Sequence, residues 1–146
     1  MDKRKKDIFV KGPISAQRIA ESISKHSTKT EIGAHSIFLG QIRADQVEGK
    51  VVREIDYTAY AELALGKMHD IRELLFKKHK LSCMHVYHSL GRVKAGEICL
   101  FVFTSAAHRQ AAIAACEELV EYIKTDMPIW GKEILEDDSH QWKINR

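Results

Sequence analysis

The longest regular pattern in the chain constrains its fold most: apolar residues recur at Ala112, Ala115, Cys116, Leu119 and Ile123. That spacing lines one face of a helix and gives it a face to bury. Thr104 and Ser105 precede the pattern as candidate caps, since either hydroxyl can accept from a free backbone N–H. Met127-Pro128 ends it, because the residue before a proline is pushed out of the helical region. His108 and Arg109 fall in the first turn, where the helix dipole favours negative charge over positive. Free N–H groups beside basic side chains form an anion pocket. The alternative is a solvent-facing pair carrying a dipole penalty of ~0.3–1 kcal/mol per charge. At the far end Lys124, Trp130, Lys132 and Glu133 crowd around Pro128, and the chemistry is expected there.

The rest of the chain supplies strands and two further helices. Ile8–Val10 reads as a short strand, and Ser15 as the cap of a helix with Ala16, Ile19, Ala20 and Ile23 on one face. Gly33–Arg43 is a strand whose centre, Ile37-Phe38-Leu39, is apolar on both faces. It leads into a polar loop, 44–50. Val51–Tyr60 alternates as a half-buried strand, which favours antiparallel pairing, and the short link to the preceding strand agrees. A helix over 62–79 sets Ala64, Met68, Ile71 and Leu75 on one face, and Lys77, Lys78 and Lys80 complement its C-terminal dipole. Leu81–Leu90 and Glu97–Thr104 are strands joined across Gly91–Gly96, and 141–144 offers a closing strand. Adjacent antiparallel strands separated by helices make an α+β domain, and 146 residues without linker or repeat predict a single one, 1–146.

Composition excludes several classes. Hydrophobic residues make up 45% and charged residues 29%, an ordinary globular balance. A net charge of +3 is too small to argue for nucleic acid, and the basic run Lys3-Arg4-Lys5-Lys6 more than accounts for it. That run reads as a flexible, solvated tail over 1–7. The longest apolar runs, 98–103 and 111–116, are far below a membrane span, so a soluble, cytoplasmic chain is expected.

Eight histidines invite a metal, but His85 and His88 are three apart on a strand and face opposite sides. None of the three cysteines, Cys83, Cys99 and Cys116, has ligand spacing with another, so they read as buried small hydrophobes and no metal is expected. Lys124 has the bland reading of a dipole partner in a last helical turn. A lysine in a partly dry pocket, however, loses some preference for the charged form and can move protons near neutral pH.

Three motifs in register carry a resemblance. The HR pair opening the long helix, the Lys124-Thr125 near its end and the run P-I-W-G-K-E from Pro128 resemble the large, catalytic subunit of molybdopterin synthase. Gly33–Arg43, GAHSIFLGQIR, is similar to that family's G-A-x-x-x-F-x-G-x-[VI]-R run, and the likeness spans 33–142. It departs in two places: Gly131 stands where a basic residue usually follows the tryptophan, and His88-Ser89 where an HR pair is common. The resemblance implies an α/β-hammerhead-like fold, an antiparallel sheet with packed helices. It implies substrate-binding roles for Gln41, Ile42, Arg43, His108, Arg109, Gly131, Lys132 and Glu133, and an essential catalytic role for Lys124. Lys132 becomes the candidate second lysine, and Arg146 matches a basic residue near the family's C-terminus.

The function so implied is sulfur transfer to cyclic pyranopterin monophosphate, making the dithiolene of molybdopterin. The sulfur arrives as a thiocarboxylate on the Gly-Gly tail of a small ubiquitin-like partner, with no cofactor. Neither nucleic acid nor membrane is an expected partner. A non-catalytic anion- or nucleic-acid-binding module and an inactive scaffold remain the alternatives. His108 and Lys124, sixteen residues apart on one helix, should lie about 24 Å apart. One pterin cannot bridge that span, so a homodimer with shared sites is expected, inside a heterotetramer with two small subunits.

Overall fold

The computed structural model describes residues 7–144. The basic run Lys3–Lys6 and Arg146 lie outside the described residues. In chain order the elements are β1 (Phe9–Lys11), α1 (Ala16–Ser24), β2 (Ala34–Gln41), β3 (Gln46–Val47), β4 (Lys50–Ala59) and α2 (Ala61–His79). They continue with β5 (Cys83–Lys94), β6 (Ile98–Ala106), α3 (Arg109–Asp126), β7 (Ile129–Leu135) and β8 (His140–Trp142). The main sheet runs β2-β6-β5-β4-β7-β8, with β1 added to β5 and β3 to β4. Every ladder is antiparallel except β1 on β5. The class is α+β, as expected.

The sheet has two differently covered faces. Met84, Val86, Leu100 and Val102 meet the apolar stripes of α2 and α3 in the main core. Those stripes are the ones the spacing predicts, Ala64, Met68, Ile71 and Leu75 on α2 and Ala112, Ala115, Cys116, Leu119 and Ile123 on α3. Each fully buried Leu or Ile there contributes ~1.5–3 kcal/mol. On the opposite face Phe101 and Phe103 pack with Ile14 and Ile19 under α1. Ser15 caps α1 as expected, its Oγ accepting from Arg18 N–H at 3.1 Å. The expected apolar face of α1 is mostly open, however: Ile23 is 42% exposed while Ser22 is buried.

Four further expectations need correction. The strand before α3 runs two residues beyond Thr104, and Thr104 and Ser105 are fully buried in β6 instead of capping the helix. Thr104 Oγ1 donates to the Ala112 carbonyl at 2.7 Å, so its hydroxyl is spent on the helix flank. The polar loop 44–50 contains β3, which pairs with the start of β4. β4 does not pair with β2; it lies between β5 and β7, while β2 pairs with β6 and forms an edge. The chain after β2 is drawn away by Ile42, whose backbone bonds to Glu97 and Gly96 at the β5–β6 turn. Finally, the stretch after Pro128 is a seven-residue strand, β7, inside the sheet.

Gly33 fixes the start of β2 against the β6–α3 turn. A Cβ there would lie 2.2 Å from the Ala107 carbonyl oxygen, so only glycine allows the approach. The N-terminus of α3 therefore sits at the start of β2, and α3 packs along β2 and β6 from there.

Candidate functional site

Lys124 occupies the last turn of α3, which ends as predicted where Met127 turns extended before Pro128. Its side chain lines a groove with Gln41, Arg43, Tyr57, Cys99, Glu133 and Lys143. The groove encloses about 260 Å³, just under the ~300–1,000 Å³ usual for small-molecule sites, and is open to solvent on one side. Lys124 and Lys143 also line an adjoining hollow with Tyr57, His88, Trp130, Gly131 and Trp142. The end of β2, the middle of β4 and the start of β7 build most of these walls, with His88 from β5, Cys99 from β6 and Trp142 from β8.

Burial dominates the electrostatics. The Lys124 amine is held below the ordinary lysine value, first by desolvation and then by the charge of Lys143, with Cys99 opposing. His88 is pushed down to about 4 because it is buried, despite its Nδ1 donating to the Ser89 carbonyl at 2.8 Å; Lys124 and Lys143 push the same way. It is therefore a neutral imidazole at physiological pH. Desolvation raises the Tyr57 phenol, helped by Cys99, whose Sγ accepts from its hydroxyl at 3.6 Å, and by Glu133. Glu133 is itself buried and accepts from Gln141 Nε2 at 2.9 Å. The arrangement offers a partly dry amine, a fixed carboxylate and neutral hydrogen-bonding groups around one opening, which suits proton transfer and anion stabilisation.

The predicted residues fall in three places. Lys124, Gln41, Arg43, Gly131 and Glu133 converge on the groove and its hollow. Arg43 stands exposed at the rim, 3.4 Å from Asp45. The side chain of Ile42 borders the groove but is 3% exposed and belongs to the core. His108 and Arg109 lie at the opposite end of α3, exposed, with His108 at the N-cap and making no side-chain capping bond. Lys132 needs the clearest correction. Side chains alternate along a strand, so Gly131 and Glu133 face the groove while Lys132 faces a separate hollow with Arg53, Arg92 and His140. It is not among the residues lining the Lys124 groove.

Residues 9–126 match the family model described as MoaE protein. The chain belongs to the MoaE family. Among MoaE relatives, the molybdopterin synthase catalytic subunit of Drosophila willistoni is 41% identical over 116 residues, covering 78% of this chain and 31% of that protein. The subunit of the same name from Oryza sativa subsp. indica is 39% identical over 121 residues, 83% of this chain and 62% of its own length. The chain thus spans less than two thirds of these curated relatives. Molybdopterin synthase from Staphylococcus aureus superposes with a TM-score of 0.80 at 28% identity, covering 93% of this chain and 95% of that one. A complex of subunits 1 and 2 of molybdopterin-converting factor from Helicobacter pylori, 17% identical with a TM-score of 0.79, shares the fold over 94% of this chain and 90% of its own. The MoaE match ends at Asp126, so Gly131, Glu133 and Lys143 lie beyond it.

Sequence reasoning missed Tyr57, His88, Cys99, Trp142 and Lys143 as site residues. The alternation of β4 was visible, but it did not say that Tyr57 faces a groove. It also missed a cluster across the sheet: His26, Cys83 and His85 present donor atoms within 4.8 Å of one another. Cys83 and His85, two apart on β5, share a face, and the turn after α1 delivers His26 to it. Among the described residues no helix is long and apolar enough to cross a membrane.

Proposed function

We propose that this chain is the catalytic subunit of a molybdopterin synthase, a sulfurtransferase of molybdenum cofactor biosynthesis. It acts on cyclic pyranopterin monophosphate and receives sulfur from the C-terminal thiocarboxylate of a small ubiquitin-like partner. One observation carries the reading: Lys124, in a chain of this family, sits in the wall of an open polar groove with its amine held below the ordinary value. In each transfer a carbon–sulfur bond replaces a carbon–oxygen bond on the pterin side chain, and the displaced oxygen leaves protonated. Water then cleaves the bond between that sulfur and the partner's acyl carbon, leaving a carboxylate. Lys124 and Glu133 move the protons and stabilise the developing charge, and Arg43 at the rim draws in the anion. This chemistry calls on no metal or organic cofactor. A single domain and a cytoplasmic setting go with the reading, supported by one continuous sheet and by free Cys83, Cys99 and Cys116.

The chain works as a twofold dimer within a heterotetramer. β2 is a sheet edge, and Ile37, Phe38 and Leu39 on it are 38%, 37% and 43% exposed. His108 and Arg109 flank the start of β2, and the Lys124 groove flanks its end. Two β2 edges meeting antiparallel would bring the helix start of one copy to the groove of the other, forming two equal shared sites.

The test incubates the chain with the thiocarboxylated small partner and the cyclic pterin and looks for dithiolene product. Product is expected; its absence, with the partner bound, would leave an inactive scaffold. For the dimer, His108→Ala/Arg109→Ala mixed with Lys124→Ala should regain activity, because mixed dimers hold one intact site. No recovery after confirmed chain exchange refutes sharing.

A further inference from the structure

We infer that Lys143 is a second anion-contacting amine of the Lys124 groove, occupying space that Gly131 leaves open. The inference rests on the sulfur-transfer reading above. The Lys143 N–H donates to the Gly131 carbonyl at 2.8 Å, which extends the β7–β8 pairing by one rung and fixes where the side chain starts. A Cβ built on Gly131 would lie 2.9 Å from Ile55 Cγ2, 3.1 Å from Tyr57 Cε1 and 3.4 Å from Lys143 Cδ. The glycine thus keeps clear the floor over which the Lys143 stem runs. Lys143 and Lys124 line both the groove and its adjoining hollow, and the charge of Lys143 adds to the burial that lowers the basicity of Lys124. Two like charges in a partly dry wall repel, and an anion lying between them removes that repulsion. The shared ligand chemistry is an oxyanion, which either the partner's terminal carboxylate or the pterin phosphate supplies.

The test uses full-length Lys143→Met, which keeps the aliphatic stem over Gly131 and removes the ammonium, beside Lys143→Arg and wild type. Turnover of Lys143→Met should fall at least tenfold and be partly rescued in Lys143→Arg. Charged or titratable groups lining the groove and hollow with Lys124 are Lys143, Arg43, Asp45, Glu133, Tyr57, Cys99 and His88. Removing the Lys143 charge lets the Lys124 amine hold its proton to higher pH, so the rising limb of the pH–rate profile should move upward. A raised KM for the pterin points to the phosphate, and weaker partner binding to the carboxylate. If wild type makes product and Lys143→Met matches it in rate and pH profile, the inference is wrong. If wild type makes none, the reading beneath it falls instead.

A separate observation on the other face of the sheet carries a second inference: His26, Cys83 and His85 form a site for a soft or borderline divalent cation such as Zn²⁺. His26 and Cys83 are buried. His26 Nδ1 donates to the Ser22 carbonyl at 2.6 Å, which turns the Nε2 lone pair toward His85 Nε2, 3.0 Å away. A backbone carbonyl fixing the tautomer of an imidazole is the usual support for a metal-ligating histidine. Two imidazoles and a thiol suit Zn²⁺ or Co²⁺ better than a hard cation. The Lys29 ammonium, on an exposed residue, lies 2.8 Å from Cys83 Sγ, where an entering cation would displace it. Co²⁺ added to the metal-free chain should bind at one equivalent with a thiolate-to-cobalt absorption band that Zn²⁺ abolishes. Cys83→Ser should lose the band, and His85→Gln should weaken binding at least tenfold. No stoichiometric binding, or binding that both variants leave unchanged, would overturn this site.

Discussion

The two faces of β7 carry two basic hollows, and they differ in what their cations are committed to. On the Lys132 face, Arg92 donates to Glu54 at 2.7 Å, and Arg53 lies 2.8 Å from Asp138 and 3.6 Å from Glu54. Those arginines are about half exposed but already paired, Arg92 and Arg53 with the buried Glu54 and Arg53 also with Asp138. On the Gly131 face, Lys124 and Lys143 share a wall with a buried carboxylate, a phenol, a thiol and a neutral imidazole. Burial there lowers Lys124 and His88 and raises Tyr57. Counting basic residues would rank the faces alike; desolvation separates them. One residue of strand register decides which side a lysine serves.

The largest effect expected from this contrast is at Lys124. Lys124→Ala should lower product formation about a thousandfold, the scale of losing a general acid–base group together with its charge. The melting temperature and partner binding should stay near wild type, and calorimetry with a pull-down checks both. Next comes Gly131→Lys, which places a side chain where a Cβ already meets Ile55 at 2.9 Å. Overpacking of this kind should destabilise the fold by ~1–3 kcal/mol, read by urea unfolding, and turnover should fall as Lys143 is displaced.

His88 sharpens the comparison through pH. Its folded value of about 4 lies below the ordinary 6.5, so the unfolded chain binds the proton first. Its contribution to stability is therefore complete above 6.5 and is lost as pH falls toward 4, by about 3 kcal/mol in all. In His88→Leu that part of the acid loss should vanish, and unfolding curves at pH 7 and pH 4.5 measure it. The smallest effect is at Lys132, where Lys132→Ala should keep turnover within about twofold of wild type.

The elements whose pattern is local were legible in the sequence. The stripes of α2 and α3, the Ser15 cap and the stop at Pro128 each follow from a handful of neighbouring residues. Lys124 was legible because a lysine at a helix end beside Pro128 and Trp130 is a local fact. β7 was hidden because Pro128, Gly131 and a run of polar residues mask its alternation, and with it went the orientation of Lys132. Lys143 was hidden because pairing of β8 with β7, not sequence spacing, lays it over Gly131. His26 meets Cys83 and His85 across 57 and 59 residues of chain, a distance only the fold closes.

The most direct test of the central claim, that the Gly131 face and not the Lys132 face takes the substrate, is to map cyclic pterin binding by backbone amide NMR. Titration should shift Lys124, Gly131, Glu133, Trp142 and Lys143, together with Gln41 and Arg43, and leave Arg53, Arg92 and Lys132 unmoved. Shifts centred on Arg53, Arg92 and Lys132, with the Lys124 groove silent, would contradict it.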